Sequence, residues 1–127
     1  MRLLLDTHAL LWWLGDMPQL GPKARACIAQ GENDIYVSAA SVWEIEIMRA
    51  IGKLQAPDDL ADAVAASHFE PLPITLPHAI AAGRLPQHHS DPFDRMLIAQ
   101  ALSDELCVVT KDAAFQKYEI ALLESHV

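Results

Sequence analysis

Short β-type runs alternate with longer helical segments along the 127-residue chain, and this alternation restricts the possible folds more than any other feature. The first run is residues 2–5, the second is residues 35–37, and the strongest is residues 106–110. Strands that alternate with helices pair in parallel, because each helix carries the chain back across the sheet. The sequence therefore predicts an α/β fold with a short central parallel β-sheet covered by helices on both faces.

Helices and two weaker strands complete the predicted order of elements. Apolar residues recur with helical spacing between the strands. The weaker strands are residues 71–75, whose prolines confine them to a sheet edge, and residues 120–123. We expect helices over residues 8–14, 21–30, 39–53, 57–68, 78–84 and 92–104. A chain of this length suits a single domain, residues 1–127.

The chain is acidic, which restricts the ways in which it can bind a nucleic acid. Seventeen Asp and Glu residues against nine Lys and Arg residues give a formal net charge of −8. Proteins that hold polyanions by their overall charge carry the opposite sign. Either the partner is not a polyanion, or bound cations reverse the charge locally.

We expect a cytoplasmic protein with no membrane association. The N-terminal apolar run is too short for a signal peptide, and the longest fully apolar stretch, residues 9–14, is too short to cross a bilayer. Cys27 and Cys107 lie far apart and form no C-x-x-C pair, which is typical of proteins from reducing compartments.

Two aspartates follow the strongest predicted strands. Asp6 comes directly after the first strand, and Asp112 follows the strand at residues 106–110 with only Lys111 between. Functional groups of parallel α/β folds gather outside the carboxyl ends of the strands. An isolated Asp at such a position is also a common helix N-cap, so its place alone does not distinguish a cap from a ligand.

A second pair of aspartates surrounds a proline in the segment His-Ser-Asp-Pro-Phe-Asp-Arg-Met, residues 89–96. Asp91 has the position of an N-cap, Pro92 that of the first helical residue, and Asp94 lies in the first turn, where an acid favours the helix dipole. Helix capping is sufficient to explain the spacing of these two aspartates. In the alternative, Asp94 takes part in chemistry while Asp91 keeps the cap.

Helical periodicity places two acids on apolar helix faces. The apolar stripe of the helix at residues 39–53 consists of Ala40, Trp43, Ile47, Ala50, Ile51 and Leu54. The apolar face of the helix at residues 92–104 consists of Leu97, Ile98, Ala101 and Leu102. At about 100° per residue, Glu44 falls within the first stripe and Asp94 within the second, whereas Glu46 points away. We therefore expect Glu44 and Asp94 to point inward, toward the strand-end aspartates.

Inward carboxylates need a compensating charge. Removing water from a carboxylate is costly, so relief comes from protonation, from Arg or Lys partners, or from a divalent cation. Arg95 and Lys111 lie beside these acids in sequence without clearly facing them. Oxygen ligands suit a hard ion, so we predict a Mg²⁺ or Mn²⁺ site formed by Asp6, Glu44, Asp94 and Asp112.

Five motifs follow one another along nearly the whole chain: LLDTHALLWW (residues 4–13), SAASVWEI (38–45), IGKL (51–54), LPxxHxDPFDRMLIAQA (85–101) and TKDxxFxxY (110–118). In this order and spacing, the chain resembles PIN-domain ribonucleases, specifically the VapC-type toxins of bacterial toxin–antitoxin pairs. The resemblance implies a PIN-like three-layer α/β/α sandwich and a metal-dependent endoribonuclease that hydrolyses RNA phosphodiester bonds. It also implies a homodimer and a cognate antitoxin, for which the acidic surface predicts a basic segment.

The resemblance places the acidic site of the family on Asp6, Glu44, Asp94 and Asp112. It implies that Asp6 and Asp94 bind the metal directly. Glu44 and Asp112 then act through water or orient the nucleophile. Supporting positions fall on Thr110, Ser38 and Asp91, with Ser41 as an alternative to Ser38.

One position departs from the pattern of the family. Relatives with these motifs usually carry Lys in the long helix where Met48 stands here, and Arg49 follows it. On a helical projection Arg49 points about a quarter-turn away, so its side chain is not a clear substitute.

Two other classes of protein share part of the pattern. A phosphoacceptor receiver domain would need two adjacent acids after the first strand and a lysine after the last, and the chain has a lone Asp6 and no such lysine. A catalytically silent PIN-like scaffold that binds a protein partner would keep the fold without turnover. Replacing Asp94 with Asn separates a nuclease from such a scaffold.

Several residues near the motifs have ordinary structural interpretations. We expect Trp12 and Trp13 to make core and partner contacts rather than to stack on bases. His88 and His89 are interpreted as polar loop residues, since no third nitrogen ligand accompanies them. His8 is equally compatible with a supporting role at the site and with none.

Overall fold

The sheet is entirely parallel, as the alternation of strands and helices predicts. The computed structural model describes residues 1–127, and its strands are β1 (Arg2–Leu5), β2 (Asp34–Ser38), β3 (Glu70–Leu72), β4 (Cys107–Thr110) and β5 (Leu122–Glu124). Their order across the sheet is β3-β2-β1-β4-β5, and every neighbouring pair is parallel. β1 therefore lies at the centre of the sheet, with β2 and β4 on either side.

Helices cover both faces of this sheet. They are α1 (Thr7–Leu14), α2 (Pro22–Ala29), α3 (Ala39–Ala50), α4 (Leu60–Ala66), α5 (Leu76–Arg84) and α6 (Pro92–Asp104), with a 3₁₀ helix at Ala113–Tyr118 that the sequence did not indicate. Leu3 and Leu5 of β1 belong to one hydrophobic cluster and Leu4 to another, so apolar side chains pack on both faces of the strand. The predicted three-layer α/β/α sandwich is confirmed. None of the helices combines the length and the apolar character needed to span a membrane.

The predicted boundaries match for β1 and α6 and differ where a turn or a cap intervenes. α3 ends at Ala50 rather than near residue 53, because Gly52 adopts a left-handed conformation with φ 74°. α4 begins at Leu60 rather than at residue 57, because the Asp59 side chain accepts a hydrogen bond from the Asp62 N–H at 3.0 Å and caps the helix there.

The predicted buried stripe of α3 is wrong. Trp43 is 62% exposed, Ile47 39% and Ile51 62%, so these side chains face solvent. The large apolar side chain that α3 buries is Ile45. α3 carries apolar residues on two sides, and its periodicity alone does not show which side meets the sheet.

The predicted apolar face of α6 is largely confirmed. Leu97 and Ile98 are fully buried and Ala101 nearly so, whereas Leu102 is 46% exposed. These residues anchor α6 against the face of the sheet that contains Leu4. The first turn of α6, which precedes them, is thereby held in a fixed position.

Arg95 ties the start of α6 to the loop that precedes it. The residue is only 9% exposed, and its guanidinium donates to four backbone carbonyls: those of Ala82 (2.9 Å), Leu85 (3.0 Å), Pro86 (3.1 Å) and His89 (3.2 Å). Because these carbonyls engage its donors, Arg95 is not a partner of the neighbouring acids. It holds the loop at residues 85–90 instead.

Replacing Arg95 with Gln should lower the free energy of unfolding by about 2–4 kcal/mol, because four backbone carbonyls lose a buried, charged donor. Urea unfolding followed by circular dichroism measures the change. Arg84→Gln is the matched control, since Arg84 is exposed on α5, and it should stay within about 0.5 kcal/mol of the unmodified protein. Equal losses in the two variants would contradict this role of Arg95.

Candidate active site

A cavity of about 380 Å³ opens at the carboxyl edge of the sheet, where β1 and β4 end. Its wall is formed by Asp6, Thr7, His8, Trp12, Glu44, Asp91, Asp94, Lys111 and Asp112. Five of these residues are acids, and Lys111 is the single Lys or Arg among them. The fold thus brings the acids of the predicted metal site to one cavity.

Asp6 is the most buried of these acids, with 8% exposure, and it is the N-cap of α1. Its Oδ1 accepts a hydrogen bond from the Ala9 N–H at 2.8 Å, and its backbone N–H donates to the Val109 carbonyl at 3.1 Å. Burial raises the pKa of Asp6, although the Thr110 hydroxyl and the Ala9 N–H act in the opposite direction. The helix that Asp6 caps therefore fixes the carboxylate in place.

Asp91 and Asp94 combine a cap with a place at the cavity. Oδ1 of Asp91 accepts hydrogen bonds from the N–H groups of Phe93 (2.8 Å) and Asp94 (3.1 Å), which confirms the predicted N-cap of α6. Asp94 lines the cavity from the first turn. Burial, followed by the negative charge of Asp91, raises the pKa of Asp94 to about 7, although His89 acts to lower it.

Glu44 reaches the cavity from α3 and is joined there to α1. Thr7 Oγ1 donates a hydrogen bond to Glu44 Oε1 at 2.5 Å, and Thr7 directly follows Asp6 in the chain. This contact brings two of the acids to the same wall. Glu46 lies on the outer surface instead, where it pairs with Arg49 at 3.1 Å and its side chain is 52% exposed.

Asp112 lies at the end of β4 and caps the 3₁₀ helix. Its Oδ1 accepts a hydrogen bond from the Ala114 N–H at 2.9 Å, and its own N–H donates to Thr110 Oγ1 at 3.0 Å. Burial acts to raise the pKa of Asp112, but the Ala114 N–H and His89 outweigh it, so the pKa is lowered. Asp112 is therefore ionised more readily than an ordinary aspartate.

His89 belongs to the site, and its interpretation as an ordinary loop residue is wrong. Its Nε2 lies 3.1 Å from Asp94 Oδ2 and 3.0 Å from Asp112 Oδ2, so the ring bridges carboxylates of two elements. The Asp91 N–H donates to Nδ1 at 3.3 Å, which leaves Nε2 as the nitrogen that donates to the acids. The sequence carried one local indication of this role: in the segment His-x-Asp-Pro, His89 lies two residues before Asp91, the N-cap of α6.

Other residues singled out in the sequence lie outside the cavity. Ser38 is fully buried and caps α3 by accepting a hydrogen bond from the Ala40 N–H at 3.0 Å, so it supports Glu44 only through the helix. Met48 does not line the cavity. Arg49 donates to loop carbonyls before α4 at 2.6 and 2.9 Å, so it does not replace the lysine of relatives.

The donor set suits a hard divalent cation. Carboxylate oxygens of Asp94 and Asp112 lie within 4.8 Å of each other, and Asp6 and Glu44 line the same cavity. Carboxylate oxygens are the ligands that Mg²⁺ and Mn²⁺ prefer. A cation here would also counteract both causes of the raised pKa of Asp94, which are its burial and, next, the repulsion from neighbouring carboxylates. The residues present therefore fit such an ion.

Known proteins share this fold and sequence pattern over nearly the whole chain. A family model described as PIN domain matches residues 3–121. Ribonuclease VapC22 of Mycobacterium tuberculosis is 29% identical over 123 residues, which cover 91% of this chain and 90% of that protein. VapBC2 of Rickettsia felis, solved with a promoter DNA fragment, superposes with a TM-score of 0.70 and 15% identity over 97% of this chain and 98% of that one. VapBC-5 of Mycobacterium tuberculosis superposes with a TM-score of 0.60 and 19% identity over 99% and 98% of the two chains.

The raised pKa of Asp94 predicts that Asp94→Asn stabilises the metal-free protein at pH 8 but not at pH 4. An ionised acid destabilises the fold when its folded pKa, here about 7, exceeds its unfolded value of about 3.9. That destabilisation is complete above the folded pKa and disappears as the pH falls toward the unfolded one. In EDTA at pH 8 we expect the free energy of unfolding to rise by about 1–2 kcal/mol, measured by urea denaturation; this is less than the full pKa shift implies, because solvent screens the partly exposed carboxylate.

Asp112→Asn is the matched comparison for this experiment, because the fold lowers the pKa of Asp112 rather than raising it. Asp112→Asn should not raise the free energy of unfolding at pH 8. Equal gains from both variants would mean that general loss of negative charge, and not the burial of Asp94, is responsible.

Proposed function

The chain belongs to the PIN-domain family, and from this premise we propose that it is an endoribonuclease dependent on Mg²⁺ or Mn²⁺ and the toxin of a toxin–antitoxin pair. The observation that carries the proposal is the meeting of Asp6, Glu44, Asp94 and Asp112 at one cavity. Carboxylates repel a phosphodiester, but the same carboxylates can hold a cation that binds it. The proposal applies to residues 1–127 as a single domain.

Asp6 and Asp94 are proposed as the residues that bind the cation directly. They are the acids whose pKa values burial raises, so they gain most from a nearby positive charge. When bound, the cation would lower the pKa of a water molecule and offset negative charge at the phosphate. Asp6 is held by the start of α1 and Asp94 by the start of α6.

Glu44 and Asp112 are proposed to act through water or to orient the attacking water molecule. Each has a neighbour that sets its direction: Thr7 donates to Glu44, and His89 lies beside Asp112. Fixed acceptors at these places restrict the orientations that a water molecule can take. Attack by water with departure of the 3′-oxygen, as the family resemblance implies, would leave a 5′-phosphate on one product and a 3′-hydroxyl on the other.

RNA is the proposed substrate, and the cytoplasm is the proposed place of action. The support is the similarity, over 91% of the chain, to a protein that is a ribonuclease. The net charge of −8 agrees with binding through a cation rather than through the overall field of the protein. The two cysteines are free thiols, which suits a reducing compartment.

We also propose an antitoxin partner with a basic segment. The similar solved structures include VapBC complexes. A basic segment is complementary to an acidic protein, and an Arg or Lys from it could enter the carboxylate cluster in place of the cation. A homodimer is a further part of the proposal, for which the exposed Trp43, Ile47 and Ile51 of α3 offer an apolar surface.

Purified, antitoxin-free protein should cleave a mixed RNA pool into discrete products with Mg²⁺ or Mn²⁺ and leave it intact in EDTA. Asp94→Asn should lower the cleavage rate at least about 100-fold, because a direct ligand is lost. Gel analysis of the products over time measures the rate.

Glu46→Gln serves as the control for this assay, since Glu46 is an exposed acid of α3 outside the cavity. Its rate should stay within about twofold of the unmodified protein. Folded protein that binds Mn²⁺ but cleaves nothing would favour a silent scaffold that binds a protein partner. Cleavage that survives Asp94→Asn would contradict the proposed site.

A further inference from the structure

The charges of the cavity do not account for how a single-stranded substrate is held. Nucleases ordinarily neutralise phosphates with Lys and Arg side chains, yet this cavity has five acids and a single lysine, Lys111. The chain as a whole carries a formal charge of −8. Contacts that do not depend on positive charge would therefore complement the cation and Lys111 in binding the rest of the substrate.

The three tryptophans of the chain have different surroundings. Trp13 is engaged inside the protein: its Nε1 donates to Ser67 Oγ at 3.3 Å, and its ring packs against Phe69 at a centroid distance of 5.8 Å. Trp43 packs against Phe93 at 5.3 Å, outside the cavity wall. Trp12 is the tryptophan that lines the cavity.

Trp12 stands beside the acids together with His8, one helical turn earlier on α1. The two ring centroids are 6.0 Å apart with an interplanar angle of 44°. His8 is exposed and Trp12 is half-buried, with one side packed against the hydrophobic core. Since Asp6 caps the same helix, its carboxylate and these aromatic rings border one cavity.

We propose that Trp12, with His8 at its edge, is a stacking site for a nucleobase of the RNA next to the phosphate at the carboxylates. The proposal rests on the proposed function for the identity of the substrate. Stacking on an aromatic ring does not depend on charge, so it operates in an acidic cavity whose wall has a single lysine. It is also tolerant of sequence, because every base presents a π face. The proposal differs from the expectation, based on the sequence, that Trp12 makes core and partner contacts rather than stacking on bases.

The test compares two small probes that share a phosphate and differ by the base: adenosine 5′-monophosphate and ribose 5-phosphate. Each is titrated in Mg²⁺ into the full-length protein, and the indole N–H signals of the three tryptophans are followed by NMR. The unmodified protein should bind the nucleotide about tenfold more tightly than the sugar phosphate, and the Trp12 signal should shift.

Three variants locate the effect. Trp12→Leu keeps an apolar side chain against the core and should abolish the preference for the nucleotide, whereas Trp12→Phe should retain most of it. Leu76→Ala removes an exposed apolar side chain away from the cavity and should leave the preference unchanged. Thermal melts confirm that each variant is folded.

Equal affinities of the unmodified protein for the two probes would overturn the stacking site, and so would a preference that survives Trp12→Leu. The probes need no turnover, so this result is independent of the nuclease assay. A preference that depends on Trp12 in a protein that cleaves no RNA would support the base site and contradict the proposed function. Cleavage of RNA by a protein that shows no such preference would support the proposed function and contradict the base site.

Discussion

Repulsion among carboxylates at the carboxyl edge of the sheet is the constraint on which the rest of the site depends. For three of the acids this repulsion is offset in the same way. Asp6, Asp91 and Asp112 each accept a hydrogen bond from backbone N–H groups as the N-cap of a helical segment. The positive ends of three segments are thus directed at one cavity, which makes the concentration of negative charge tolerable. Asp94 is not the N-cap of a helix, and its pKa is raised by burial first and by repulsion from Asp91 second. Capping and chemistry are therefore not alternative uses of these residues.

The site is joined by contacts between segments that are far apart in the chain. Thr7 and Glu44 connect α1 with α3 across 37 positions, and His89 and Asp112 connect the loop before α6 with the end of β4 across 23 positions. Arg95 holds that loop through its carbonyls. Displacing one of these elements would move several acids relative to one another, so the geometry of the cavity depends on the packing of the whole sheet.

Lysine is scarce around the cavity, and this affects how a polyanion can be recognised there. Met48 carries no charge, and Arg49 is committed to loop carbonyls and to Glu46. Lys111 is left as the basic residue at the cavity wall. Electrostatic attraction of phosphates is thus concentrated where a cation is held, and the aromatic side of the cavity provides contacts of a different kind.

Local patterns in the sequence determined the elements and their caps. β1, the cap of α3 at Ser38, the cap of α6 at Asp91 and the position of the strand-end acids all depend on residues a few positions apart, and all are found in the structure. Tertiary structure alone decided which side of α3 is buried, where the Arg95 guanidinium binds, that His89 bridges two acids and that Trp12 rather than Trp13 faces the cavity. The reason is physical: each of these outcomes depends on which segment lies opposite in the folded sheet, and the spacing of residues along one element does not contain that information.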